Sequence, residues 1–455
     1  MPLRVFLYTL GCKLNQLETD SIADAFAREG ALVGAFSTEA SSSVDLVVIN
    51  TCTVTGKAER SARRIIRRAL DACPRSVVLA TGCYAQVEAE TLSAIGERVL
   101  VLPGADKAAL LALPARLAES GAIEGGSSGP IGLLSLLREA LGAGSTDASI
   151  DARFAYNPET FAFHSRPALK IQDGCDNDCA YCRVRIARGS AASLPPREVL
   201  ARAQALERAG RAEIVLTGVN LSQYRDGARD FPALLSLLLA ETEAVAFRIS
   251  SYEPDSIDSD FLRAFAHPRV RPHVHLAVQS GADSVLRAMG RRYSRADVLA
   301  AVRALREIRG DPFVAADFIV GFPGETEADF AASLELASDC DLAWIQAFRF
   351  SPRPGTRAAA MSGPVPERIT GDRAHALLEL SIAAKARYLE RWRGRELKAV
   401  LEKDMRATAE NYLKLKPSCL PESLRPGREI LCRIEGESSE GIGDVDALAL
   451  YISGS

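Results

Sequence analysis

The chain has 455 residues, of which 47% are hydrophobic and 25% charged, with a formal net charge of −3. That length suits about two to four domains, and the composition is that of a globular protein rather than a disordered or fibrous one. No run approaches the roughly eighteen apolar residues of a membrane helix, and the near-neutral charge leaves only a local basic face as a means of binding nucleic acid.

In chain order, residues 1–110 alternate strand-like and helix-like patterns. The apolar runs "RVFLYTL", "DLVVINT", "SVVLATG" and "RVLVLPG" are separated by helical stretches, which predicts a small doubly wound parallel sheet. The opening "YTLGC" invites comparison with a lipoprotein signal. The chain before Cys12 is too short to hold both a basic segment and an apolar stretch of roughly 7–15 residues. It is read as a buried strand, and the protein as cytoplasmic. Residues 111–165 contain "ESGAIEGGSSGP" and "GAGSTDAS", which predicts a flexible Gly/Ser-rich interdomain linker, with "IGLLSLLREAL" as one helix within it.

From 166 to 390 six further strand-like runs alternate with helices: "ALKIQDG", "AEIVLTG", "VAFRISS", "HVHLAVQSG", "VAADFIVGF" and "AWIQAFRF". Six successive βα units predict a partial (βα)6 barrel, two units short of a closed one. Residues 391–455 change again, to short strands ("RELKAVLE", "ATAENYLKLK", "EILCRIEG", "ALALYIS") that predict a small β-barrel. The expected fold class is therefore α/β in three parts: a doubly wound parallel sheet, an open βα barrel and a small β-barrel.

Ten cysteines in a chain of this kind point to metal or redox chemistry rather than a disulfide framework. Three of them, Cys175, Cys179 and Cys182, directly follow the first barrel strand in "GCDNDCAYC". Three readings are open. A zinc site would need a fourth ligand from far away. Chance clustering of buried thiols is the second. The third is a four-iron cluster on three thiolates, leaving one iron for an outside ligand such as the amino and carboxylate groups of S-adenosylmethionine. Cys12, Cys52 and Cys83 lie far apart but share an address, each immediately after a predicted parallel strand, where ligands of doubly wound folds bind. One such cysteine reads as a small buried hydrophobe. Three at equivalent strand ends read as a second cluster site. Cys73, Cys340, Cys419 and Cys432 lack this placement and are read as structural.

The Cys-x3-Cys-x2-Cys loop, with Tyr181 before the last cysteine, resembles the signature of radical S-adenosylmethionine enzymes, whose partial (βα)6 barrel matches the units above. The contexts "TLGCKLNQLETD", "INTCTVTGKAERSARR" and "TGCYAQ", and the closing "TAENYLKLK", resemble the methylthiotransferase family with its TRAM domain. Lys13-Leu14-Asn15-Gln16 and Thr53-Val54-Thr55 are most similar to the branch that acts on N6-threonylcarbamoyladenosine beside the tRNA anticodon. "RVRIARG" after Cys182 departs from the usual Ile-Ile-Pro-Tyr type stretch.

The resemblance implies two 4Fe-4S clusters, one on Cys175, Cys179 and Cys182 and one on Cys12, Cys52 and Cys83, all six counted as catalytic. It implies S-adenosylmethionine contacts from Tyr181, Thr217, Gly218, Asn220, Ser250, Glu253 and Gln279 at the barrel strand ends. It implies a radical that takes hydrogen from C2 of the modified adenine, and a methylthio group delivered from the second cluster. The implied partners are a tRNA anticodon stem-loop and an electron donor such as flavodoxin or ferredoxin, with no membrane and a monomeric chain. Rival readings keep the chemistry on isopentenyladenosine or a ribosomal-protein aspartate, or make the chain an iron–sulfur electron carrier or RNA-binding module.

A basic face is legible without any family. In "KAERSARRIIRRAL", Arg60, Arg63, Arg64, Arg67 and Arg68 share one side of a helix, and Ala62, Ile65, Ile66 and Ala69 the other. A near-uniform positive face beginning just after Cys52 suits phosphate contacts. Arg183, Arg185 and Arg188 form a second basic group predicted to touch RNA. The last 65 residues hold 11 basic and 11 acidic side chains, so charge does not mark that module as RNA-binding.

Overall fold

The computed structural model describes residues 1–37, 43–125, 129–142, 152–438, 440 and 445–454. The chain divides into two compact units. The first comprises Met1–Phe163 with Asp173–Asp176 and Cys182–Ser190, and the second holds the remainder.

In the first unit β1 (Arg4–Thr9), β2 (Leu32–Ala35), β3 (Leu46–Thr51), β4 (Val77–Gly82) and β5 (Val99–Val101) form one wholly parallel sheet in the order β2-β1-β3-β4-β5. β3 and β4 are buried along their whole length because both faces are covered, which is why they read as unbroken apolar runs. Alternate residues serve opposite faces: Leu46 and Val48 pack with α1 (Lys13–Arg28), Val47 and Ile49 with α2 (Gly56–Ala72).

The expected linker is largely replaced by structure. Helices Ala109–Glu119, Ala122–Gly125 and Pro130–Gly142 place Leu113, Leu117, Ile123, Leu133 and Leu137 in the sheet's own core. Their leucines recur at helical spacing, so burial overrides the Gly/Ala-rich composition. Farther on, the backbone N–H groups of Glu159 and Thr160 donate to Asp24, and that of Phe163 to Asp20, tying the segment to α1. "GAGSTDAS" lies almost wholly outside the described residues.

In the second unit the six expected strands are present as Ala168–Lys170, Glu213–Thr217, Ala246–Ile249, His273–Gln279, Phe313–Val320 and Trp344–Arg349, all parallel to their neighbours. The third is interrupted at Ser250 and resumes as Ser251–Tyr252, so the pairing falls into a three-stranded and a four-stranded sheet. A 26-residue helix, Glu367–Trp392, lies along the last barrel strand, where Ser381 Oγ donates to the Ile345 carbonyl.

Five strands, the first Glu396–Leu401 and the last Ala447–Gly454, form a closed barrel. "ATAENYLKLK" is two strands, Ala407–Ala409 and Lys414–Ser418, turned at Tyr412 with φ 70°. This barrel shares a core with its neighbour: Leu397, Leu415, Ile430 and Ala447 pack in one cluster with Phe313, Ala343 and Tyr388 of the βα barrel and its helix. Fully buried Glu213 ties the same pieces together. It accepts from Arg248 at 2.7 Å and Arg271 at 2.9 Å, while Arg248 also donates to the Ala409 carbonyl and Arg271 to Glu429.

Candidate active site

The sheet order 2-1-3-4-5 reverses direction between β1 and β3, and ligands of such folds gather at that point beyond the strands' carboxyl ends. Cys12 and Cys52 follow these two strands, and Cys83 follows β4. Glycine precedes two of the three. Gly11 has φ 101°, and a Cβ there would meet Cys52 Cβ at 2.7 Å and Sγ at 2.8 Å. Gly82 has φ 96°, and a Cβ there would meet Asn50 Oδ1 and the Thr51 carbonyl, each at 2.5 Å. The two turns are packed as tightly as glycine allows, which brings the thiols to one end of the sheet.

All ten cysteines are free thiols. Burial pushes the Cys52 thiol up to about 12, and negative charge on the Cys12 and Cys83 sulfurs would act in the same direction, so both lie within electrostatic reach of Cys52. Among the described residues no three His, Cys, Asp or Glu side chains close round a single metal ion. A four-iron cube is larger than one ion and spreads its thiolates further. The donor set fits such a cube with one iron left open.

A buried polar network backs these cysteines. Arg188 donates through Nε to Cys83 Sγ at 3.2 Å, through Nη1 to Glu18 and Asp173 at 3.1 Å, and through Nη2 to Asn15 Oδ1 at 2.8 Å. Lys107 pairs with Glu18 and donates to Asn50 Oδ1. Asn15 in turn donates to the Leu10 and Thr51 carbonyls, bracing the strand ends that carry Cys12 and Cys52.

For two arginines the structure corrects the expectation. Arg188 is enclosed in this network, and Arg183 is buried, pairing with Glu59 at 3.3 Å and Glu88 at 3.1 Å. Both find carboxylates of the same unit and are not offered to RNA. Arg185 is exposed. On α2 the expected apolar residues Ala62, Ile65, Ile66 and Ala69 are all buried, and Arg60, Arg64, Arg67 and Arg68 are exposed. Arg63 is half-buried and turned to the Tyr84 hydroxyl.

The three-cysteine loop divides between the units, Cys175 and Cys182 with the first and Cys179 with the second. In the second unit Arg291 organises the surroundings of Cys179. Its Nη1 stands 3.4 Å from Cys179 Sγ and 2.8 Å from Glu253 Oε1, and its Nε donates to the Tyr293 hydroxyl at 2.8 Å. Glu253 also accepts from Asn177 at 2.8 Å, and its backbone N–H donates to Ser222 Oγ at 2.9 Å. Tyr181 is half-buried, close enough to Arg291 to act on its charge. Asn220 caps its short turn by accepting from the Ser222 N–H and donates its own N–H to Gln172. Gly218 packs against Gln172, Thr217 is buried, and the Ser250 Oγ is buried at the strand break with no hydrogen-bond partner among the described residues. Gln279 ends its strand at φ 69°. Tyr181, Asn220 and Glu253 thus join one network around Arg291 and Ser222, whereas Thr217, Ser250 and Gln279 hold separate strand ends. Sequence reasoning missed Arg291, Glu18 and Lys107, whose charged or thiol partners lie 38 to 170 residues away in the chain.

Fold and cysteine loop together define the class. A model described as the Radical SAM superfamily matches residues 169–337, and one described as uncharacterized protein family UPF0004 matches residues 4–104. The solved structure of a radical S-adenosylmethionine methyltransferase, TsrM, from Kitasatospora setae aligns over 79% of this chain and 77% of that one, with a TM-score of 0.50 and 15% identity, a likeness of fold. Among curated proteins, the threonylcarbamoyladenosine tRNA methylthiotransferase MtaB of Treponema pallidum is 45% identical over 452 residues, covering 90% of this chain and 94% of its own length. The proteins of the same name from Aquifex aeolicus and Bacillus subtilis are each 32% identical, over 91% and 90% of this chain and 96% and 89% of their own lengths. The chain belongs to the family of threonylcarbamoyladenosine tRNA methylthiotransferases.

Proposed function

We propose that this protein adds a methylthio group to C2 of N6-threonylcarbamoyladenosine beside the anticodon of tRNA. The observation that carries the reading is the similarity to the Treponema pallidum protein, which runs along nearly the whole of both chains. When bound, two 4Fe-4S clusters and S-adenosylmethionine supply the radical and the sulfur chemistry.

The chain's own residues have distinct tasks. Cys175, Cys179 and Cys182 hold one cluster, and Cys12, Cys52 and Cys83 the other. Arg291 keeps a positive charge beside Cys179 and fixes the Glu253 carboxylate, while Asn220 and Tyr181 shape the barrel mouth for S-adenosylmethionine. Arg60, Arg64, Arg67 and Arg68, with Arg185, take RNA phosphates, and the small C-terminal barrel serves as a further RNA-binding module. An adenosine in an anticodon loop is unpaired and enters a pocket at little unstacking cost. The protein works in the cytoplasm as a monomer and draws electrons from a small donor such as flavodoxin or ferredoxin. No helix among the described residues is long and apolar enough to cross a membrane.

The test is turnover by the anaerobically reconstituted protein with S-adenosylmethionine, a reductant and tRNA carrying threonylcarbamoyladenosine. The methylthio nucleoside should form, and should vanish in Cys175→Ala and in Cys52→Ala. 5′-Deoxyadenosine released by Cys52→Ala but not by Cys175→Ala assigns the radical step to the barrel cysteines; the opposite pattern refutes the assignment.

A further inference from the structure

We propose that Arg188 is a positioning residue for the cluster on Cys12, Cys52 and Cys83, and that its guanidinium raises that cluster's reduction potential through the Cys83 sulfur. The proposal rests on the reading that these cysteines hold a cluster.

Four observations within one compact unit carry it. The Nε–H of Arg188 is directed at Cys83 Sγ at 3.2 Å, so a donor stands on a sulfur that would bind iron. The guanidinium cannot swing away, because Glu18, Asp173 and Asn15 occupy its other nitrogens. Its side chain is 9% exposed, so solvent screens its field poorly. Finally, Glu18 is itself clamped by Lys107 and Asp173 is 2% exposed, which makes the cradle rigid. A cation used only for solubility would not be buried at this cost, and one used only to pair carboxylates would not need its Nε on a thiol.

The chemical consequence follows from charge. Reduction adds an electron to the cluster, and a fixed positive charge with a hydrogen bond to a ligand sulfur favours the more negative state. Hydrogen bonds to sulfur and local charge are the protein's main controls on cluster potential. Arg188 therefore makes this cluster easier to reduce than three thiolates among Glu18 and Asp173 would be alone. It also keeps the Cys83 side chain aimed at the site before metal arrives.

The experiment uses full-length protein in which Cys175, Cys179 and Cys182 are changed to Ala, so only the second cluster is loaded. Iron content and an electron paramagnetic resonance redox titration are then compared for this parent, Arg188→Lys and Arg188→Gln. Arg188→Gln should lower the reduced-to-oxidised ratio at fixed potential roughly tenfold, about 59 mV for a one-electron couple. Arg188→Lys, which keeps the charge but not the forked hydrogen bonds, should fall between. If Arg188→Gln does not fold, Arg188→Gln/Asp173→Asn restores the buried charge balance, and loss of the hydrogen bond to Cys83 should still place its midpoint below the parent's, by less than the single variant's shift. Identical midpoints in folded, fully loaded variants overturn the proposal. Failure of the parent itself to bind iron overturns the cluster reading along with it.

Discussion

Gly11 sits directly against Cys52: a methyl group on its Cα would lie 2.7 Å from the Cys52 Cβ, and its φ of 101° is one that side-chain-bearing residues rarely adopt. Gly11→Ala therefore either displaces Cys52 or strains the turn before Cys12, at a cost of about 1–3 kcal/mol. The expected outcome is a fall in iron bound at the N-terminal site with little change at the barrel site. Iron analysis of Gly11→Ala in a Cys175/Cys179/Cys182→Ala background measures it; full iron loading would contradict the role given to the turn.

Glu213 gives a stability prediction. Burial opposes its ionisation, but Arg248 and Arg271 outweigh that and hold the carboxyl well below the usual range. Its contribution is thus present above the unfolded-state value of about 4.3 and is lost as pH falls through the lower folded value. Glu213→Gln leaves buried Arg248 and Arg271 short of a counter-charge, and should cost roughly 3–5 kcal/mol at neutral pH by urea unfolding. The gap between wild type and variant should begin to close below about pH 4.3 and keep narrowing as pH falls towards the lower folded value. A constant gap down to pH 2 would refute the sign.

The arginine face of α2 should behave as a phosphate-binding surface. Changing Arg60, Arg64, Arg67 and Arg68 to Ala together should weaken tRNA binding and flatten its salt dependence, by roughly 0.7–0.9 log units for each phosphate left unneutralised. Because these side chains are exposed, the melting temperature should stay nearly unchanged. Filter binding across a salt series is the measurement. An unchanged slope would move the RNA surface elsewhere.

Arg291→Met removes the donor beside Cys179 and leaves Glu253 without its cation. Release of 5′-deoxyadenosine should drop roughly 10–100-fold, as for other residues that orient metal ligands. Iron at the N-terminal site should be unaffected. Equal 5′-deoxyadenosine yields would show that Arg291 serves only the packing of Tyr293.

Much of this was legible in the residue pattern, and the failures have one cause. Strand ends marked by Gly-Cys, the α2 stripe of Ala62, Ile65, Ile66 and Ala69, and six βα units all depend on local periodicity, and the structure bears them out. What escaped depends on distant partners. Arg183 and Arg188 look like solvent-facing cations until Glu59, Glu88, Glu18 and Asp173 are brought to them by the fold. Residues 111–165 have a linker's composition, and only the burial of Leu113, Leu117, Leu133 and Leu137 against the sheet makes the helices described there part of the domain.

Everything proposed for the chemistry turns on which nucleoside is modified. A competition decides it: equal amounts of tRNA bearing threonylcarbamoyladenosine and tRNA bearing isopentenyladenosine are mixed with the reconstituted protein, S-adenosylmethionine and a reductant. Nucleosides are then analysed by mass spectrometry. Methylthio-threonylcarbamoyladenosine should appear, with no methylthio-isopentenyladenosine. The reverse pattern, or 5′-deoxyadenosine release with neither product, would contradict the proposed function.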